Sequence, residues 1–252
     1  MTNDFIQTMS AHRSIRKFTT QDVSKEQVEA IISAARWAPS SHHVQAYSVI
    51  VVKNPSTKQT LSELTGNQRW VEQCPVFLVF CADYHKISEA SERHGQALEI
   101  GGAEQLLVGA VDAALVAQNT LLAAESMGLG GVMIGGIRNQ PGEVTKLLNL
   151  PLHTFPVMGM CLGYPDQDVD QKPRLPQKAS VFYEAYDQSF VPDALDAYNE
   201  TMEHYYLSRK SNARGDTWSK QMAAYMGKPN RPHLNQYLLS QGFLHDVKKE
   251  SE

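Results

Sequence analysis

Residues Gly109 to Asn139 read GAVDAALVAQNTLLAAESMGLGGVMIGGIRN. The first half, from Ala110 through Ala117 and again from Leu121 to Ala124, is apolar on nearly every side. A surface helix carries a polar face, so a helix of this composition belongs in a protein centre or a subunit interface. Its many alanines favour the helix and let neighbouring backbones come close. Gly128 stops it, as glycine does just past a helix end. The following Gly130-Gly131-Val132-Met133-Ile134-Gly135-Gly136 reads as a short buried strand with a glycine pair at each end. Such pairs mark either the close approach of a flat ligand or another backbone, or a tight turn that requires positive φ.

Outward from this stretch, helices and strands alternate. Residues 4–11 form a short helix before the basic cluster His12-Arg13-Ser14-Ile15-Arg16-Lys17, and Ser24 with Gln27 makes a capping box that opens a second helix. Pro39 ends that helix, and Ser40-Ser41-His42-His43 is a small polar turn. Strands are expected at 46–52, 76–81 and 155–162, and helices at 55–64 and 141–148, with Pro141 at a first helical position. A polar loop runs from Thr65 to Trp70, and residues 85–100 form a surface helix or excursion. Residues 163–177 are loop, and helical patterns recur near 192–207, 217–226 and 233–241. The alternation, with the largest helix apolar all round, predicts a three-layer α+β fold followed by a helical extension.

The bulk properties exclude several classes. A net charge of −4 argues against a general nucleic-acid binder. The three cysteines, Cys74, Cys81 and Cys161, are odd in number and lack C-x-x-C spacing, so neither a disulfide framework nor a zinc site is expected. The first ten residues, MTNDFIQTMS, lack the pattern of a secretion signal, and no run approaches a membrane span. The expectation is a cytoplasmic enzyme without a resident metal. There is no G-x-G-x-x-G, P-loop, G-x-S-x-G or H-E-x-x-H. Two basic clusters, His12/Arg13/Arg16 and Lys172/Arg174, lie far apart in sequence. With hydroxyls such as Ser14, Ser40 and Ser41 they suit a phosphate; individually they are also ordinary solvated charges.

Four spaced segments, HRSIRKF from His12, APSS from Ala38, Gly130–Ile137 and KPRLP from Lys172, resemble the nitroreductase family in their order and residues. Within it they are similar to the branch of oxygen-insensitive NADPH nitroreductases and FRP-type flavin reductases. The likeness runs from about residue 8 to about residue 241 and includes the Ser211–Trp218 segment and Arg231-Pro232.

The resemblance implies an FMN-binding core over 1–178 with a central mixed sheet flanked by helices, and a helical extension over 179–252. It implies a homodimer with two FMN sites at the interface. Arg13, Ser14, Lys172 and Arg174 would then hold the FMN phosphate, with His12 alongside. Arg16 would stabilise charge at the flavin N1, leaving the chemistry to the cofactor rather than to a catalytic side chain. Ser40 and Ser41 would reach the ring or ribityl chain from the other subunit, and Gln68 would bond the pyrimidine end. Met133, Ile134, Gly135 and Gly136 would run along the isoalloxazine. Arg209, Arg214 and Arg231 would meet the NADPH 2′-phosphate. Small electron acceptors such as nitroaromatics, quinones or free flavin would follow NADPH in a ping-pong cycle. The alternatives are a dedicated flavin reductase and a non-catalytic holder of FMN or another phosphate ligand. The chain departs from the pattern at Pro39, His42-His43, Met133 and Gly215, and over 85–103.

Overall fold

The computed structural model describes residues 3–209 and 213–244. It divides into two compact units. One runs up to Asp168 and resumes at Arg231; the other is Val169–Asn230.

In the first unit α1 (Asp4–Ser10) is capped by the Asn3 side chain, which accepts from the Ile6 amide. In α2 (Lys25–Ala35) the reciprocal Ser24–Gln27 capping box forms as its spacing predicts. Strand β1 (Tyr47–Val52) and helix α3 (Pro55–Leu64) follow. The Thr65–Trp70 stretch, expected as loop, passes into a short helix, α4 (Arg69–Gln73). Strand β2 (Val76–Asp83) is buried at every position. Helix α5 (His85–Arg93) is the surface helix of the 85–100 region.

The long helix, α6 (Ala103–Ser126), begins six residues before Gly109. Its end is marked by Gly128 at φ +77, a backbone conformation that costs glycine little. By length and composition it could cross a membrane, which qualifies the expectation that no run reaches that size. Its packing is that of a core helix, with Ala113, Val116, Ala117, Leu121 and Ala124 buried. The opposite side is not covered by the described residues: Leu107, Val111 and Leu115 are 60, 52 and 37% exposed.

Strand β3 (Gly130–Ile134) stops short of the second glycine pair, because Gly135–Arg138 forms a 3-10 turn. Helix α7 (Pro141–Leu147) and strand β4 (Thr154–Gly163) complete the sheet, in the order β1-β2-β4-β3. All three strand pairings are antiparallel; the parallel component is an isolated bridge between Ser14 and Gly131.

The three layers follow from the two-residue alternation of β2. Val76, Leu78 and Phe80 pack with Ile31 of α2 and Val116 and Leu121 of α6. Phe77, Val79 and Cys81 face the other way, against Leu61 of α3, Val71 of α4 and Val144 of α7. Each large side chain so enclosed contributes about 1.5–3 kcal/mol. All three cysteines are free and buried, and burial pushes the Cys81 thiol up to about 12, so it is not a reactive thiolate. The chain returns to this unit through α10 (Leu234–Ser240; α8 and α9 belong to the second unit), and Phe243 packs edge-on against Phe155 and Tyr84.

The second unit holds α8 (Val191–Ser208) and α9 (Trp218–Met226), joined by a small aromatic core of Tyr198, Met202, Tyr206 and Trp218.

Candidate functional site

Three segments far apart in sequence meet at β3, which is an edge strand. The stretch after α1 runs beside it: the Ile15 amide donates to the Gly131 carbonyl at 2.9 Å. Gln167 fixes the next residues, its Oε1 accepting from the backbone amides of Arg16 and Lys17 at 3.0 and 2.7 Å. The Arg16 side chain is exposed and lies over the Trp70 ring, its Cζ 5.9 Å from the centroid. Trp70 in turn donates its indole N–H to Gln68 Oε1 at 3.1 Å, and Gln68 Nε2 donates to the Thr65 carbonyl at 2.7 Å. The same carbonyl accepts from Asn139 Nδ2 at 3.2 Å, and Asn139 Oδ1 accepts from Arg231 Nε at 2.9 Å. Arg16, Gln68 and Arg231 are therefore gathered along one continuous polar row.

The glycine pairs now have a physical reason. Neither pair adopts positive φ, so the tight-turn reading does not apply. A Cβ on Gly136 would fall 2.4 Å from Gln68 Nε2 and from the Thr65 carbonyl oxygen, and one on Gly131 would fall 2.8 Å from the Cys161 carbonyl oxygen. Close backbone approach requires both glycines.

In the basic cluster, His12 Nδ1 lies 2.6 Å from Glu125 Oε1. Arg13 is exposed and its Nη1 donates to the Ala11 carbonyl at 2.9 Å, while Ser14 is half-buried beside Gly131. Met133 is half-buried and Ile134 buried, the latter packed in the core below β3. The Ser40 hydroxyl donates to Asp112 Oδ2 at 2.7 Å and accepts from the Gln45 amide at 2.7 Å, so it is committed within the chain. Ser41 is exposed. Asp112 also accepts from the buried Ala46 amide at 3.0 Å. It thereby holds a loop in which His42, His43 and Gln45 all have positive φ (46, 58 and 52). Beside this loop is a cavity of about 370 Å³ lined by Pro39, Ser40, Ser41, Leu107, Val111 and Leu115.

Within the second unit, Arg174 Nη1 donates to the Lys172 carbonyl at 2.9 Å. Lys172 and Arg214 both stand over the Tyr206 ring, 5.7 and 4.8 Å from its centroid. Burial would push the Tyr206 phenol up, but its hydrogen bond with Gln221 and the neighbouring Lys172 and Arg214 bring it below its ordinary value. Arg209 is half-buried at the end of α8. Residues 211 and 212 of the Ser211–Trp218 motif lie outside the described residues.

Sequence reasoning passed over Trp70, Asp112, Glu125 and Asn139. A signal existed for two of them: Asp112 is an acid in the middle of an apolar stretch, and Glu125 is an acid in the last turn of the same helix, where the dipole disfavours it. Among the described residues no three His, Cys, Asp or Glu side chains group as a metal site.

The order of layers and the glycine-lined edge of β3 define a class. The chain belongs to the nitroreductase family: the Nitroreductase family model matches residues 9–164, and the family's C-terminal domain model matches 172–246. Among relatives, it is 46% identical to the oxygen-insensitive NADPH nitroreductase of Salmonella typhimurium, over 94% of this chain and 97% of that one. It is 43% identical to the NADPH-flavin oxidoreductase of Vibrio harveyi, over 95% of this chain and 98% of that one. The structure of the NADPH:FMN oxidoreductase from Vibrio harveyi complexed with NAD+ superposes with a TM-score of 0.88 at 41% identity, covering 96% of this chain and 99% of that one.

Proposed function

We propose that the chain is an FMN-dependent NAD(P)H oxidoreductase, favouring NADPH, which reduces nitroaromatics, quinones or free flavins by two-electron transfer. The family membership and the relatives' activities support this reading. The observation that carries it is the row Arg16–Trp70–Gln68 beside Gly136. The residues fit a flat, anionic cofactor. Gln68 is held against Gly136, and Arg16 presents an exposed guanidinium over the neighbouring Trp70. Gln68 has a second amide N–H beyond the one given to Thr65. Bound FMN supplies the hydride and electron-pair chemistry. The chain's task is to orient it, place positive charge at its electron-rich edge and cradle its phosphate with His12, Arg13 and Ser14. Arg231, rooted on Asn139, would receive the 2′-phosphate of NADPH. The donor is a cytoplasmic metabolite, and the reading places the enzyme there.

The exposed Leu107–Val111–Leu115 stripe supports a homodimer in which that face is covered. Ser41 and the cavity beside it would then face the partner's flavin. A dedicated flavin reductase is the second reading, favoured by the 43% identity to the Vibrio harveyi NADPH-flavin oxidoreductase.

The test is the visible absorbance of the purified protein before and after NADPH is added without air. Flavin bands that bleach are the expected result. Bands that persist with both NADPH and NADH would turn the reading towards a flavin carrier, and no bands after soaking with FMN would overturn it.

A further inference from the structure

Glu125 sits where stability alone would not put it. It lies in the last turn of α6, at the negative end of the helix dipole, where a carboxylate is disfavoured. Its Oε2 is buried without a hydrogen-bond partner among the described residues, a second cost. Its Oε1 makes one contact, 2.6 Å to His12 Nδ1, across 113 positions of sequence. Side-chain exposure is 12% for Glu125 and 26% for His12, so the carboxylate is largely enclosed while part of the imidazole remains open.

We infer that Glu125 is a positioning residue that aims His12 Nε2 at the cofactor phosphate, an inference that rests on the phosphate role proposed for His12, Arg13 and Ser14. A carboxylate only accepts, so the nitrogen facing Glu125 carries a proton, and the ring's plane and direction are set by that bond. A phosphate oxygen on Nε2 also only accepts. Between two acceptors the imidazole satisfies both only with a proton on each nitrogen, which makes it a cation toward the phosphate. In this arrangement Glu125 touches no part of the cofactor, and its whole effect passes through one ring.

The experiment titrates apoprotein with FMN and with riboflavin, which has the same ring and no phosphate, following the quenching of flavin fluorescence. E125Q keeps the shape and an oxygen for Nδ1–H but removes the charge. In this variant FMN binding weakens roughly tenfold, the scale of one charge-assisted hydrogen bond, while riboflavin affinity stays within about twofold. In an H12Q background the E125Q effect disappears, because its only route is gone. Equal weakening of FMN and riboflavin in E125Q, or an undiminished E125Q effect in H12Q, would mean a merely structural residue and overturn the inference. R13A separates the two layers. If R13A lowers the FMN-to-riboflavin preference and E125Q leaves it unchanged, the phosphate reading stands and the role of Glu125 falls. If the wild-type protein binds the two flavins equally, the phosphate reading itself falls and takes the inference with it.

Discussion

A Cβ on Gly136 would crowd both the Thr65 carbonyl oxygen and the Gln68 amide nitrogen, so the missing side chain is what lets the turn after β3 close on the loop before α4. Gly136→Ala must break the Gln68–Thr65 hydrogen bond or push the turn outward. The expected cost is about 1–3 kcal/mol, the usual penalty for overpacking, together with loss of bound flavin. Thermal melting and the ratio of flavin to protein absorbance measure the two effects. Full flavin occupancy and an unchanged melting temperature would show that the turn has slack. The glycine pairs were legible in sequence as a place where backbone approaches something, but not as which of two geometries. The choice depends on Thr65 and Cys161, which lie far from them in the chain. The same holds for Trp70: its position between Arg16 and Gln68 exists only once β3 has gathered the segments.

At the level of elements, α6 does two jobs on two faces. One face closes the core over β2 and β4. From its first half Asp112 reaches into the loop after α2 and holds Ser40, Ser41 and Ala46 together. Three left-handed non-glycine residues in that loop, His42, His43 and Gln45, are strained conformations that persist only when their surroundings dictate them. Asp112→Ala removes the dictating group and leaves the buried Ala46 amide without its acceptor. A loss of about 1–3 kcal/mol is expected, with faster amide hydrogen exchange confined to the loop. Exchange that stays slow there would mean the loop holds itself. The Ser24–Gln27 capping box and the end of α6 at Gly128 could be read from neighbouring residues, because capping is local physics, whereas the start of α6 at Ala103 and the short α4 could not. What a helix touches on each face is not local, and for that reason α6 reads as uniformly apolar in sequence while one side remains uncovered in the fold.

At the scale of the whole molecule, that uncovered side predicts assembly. Leu107, Val111 and Leu115 recur at four-residue spacing and form one stripe beside the cavity at Pro39–Ser41. Val111→Asp puts a charge at the middle of the stripe without touching the sheet-facing side of α6. Sedimentation equilibrium should give a dimer for the wild-type protein and a monomer for the variant, with flavin retained less well in the monomer. A wild-type monomer at working concentration would remove the homodimer from the functional reading.

The return of the chain to its first unit has a consequence for how the protein is made. Tyr84 and Phe155 are ready to pack long before their partner exists, because Phe243 lies near the far end of the chain. Between Gly163, where the last strand ends, and Phe243 the ribosome must add about eighty residues, several seconds of synthesis at ordinary rates. Through that interval the strands are all made, but an aromatic cleft stands open at one end of the sheet. Closure of that cleft by α10 and Phe243 must wait until those residues have been added, and until then its rings are open to other nascent chains.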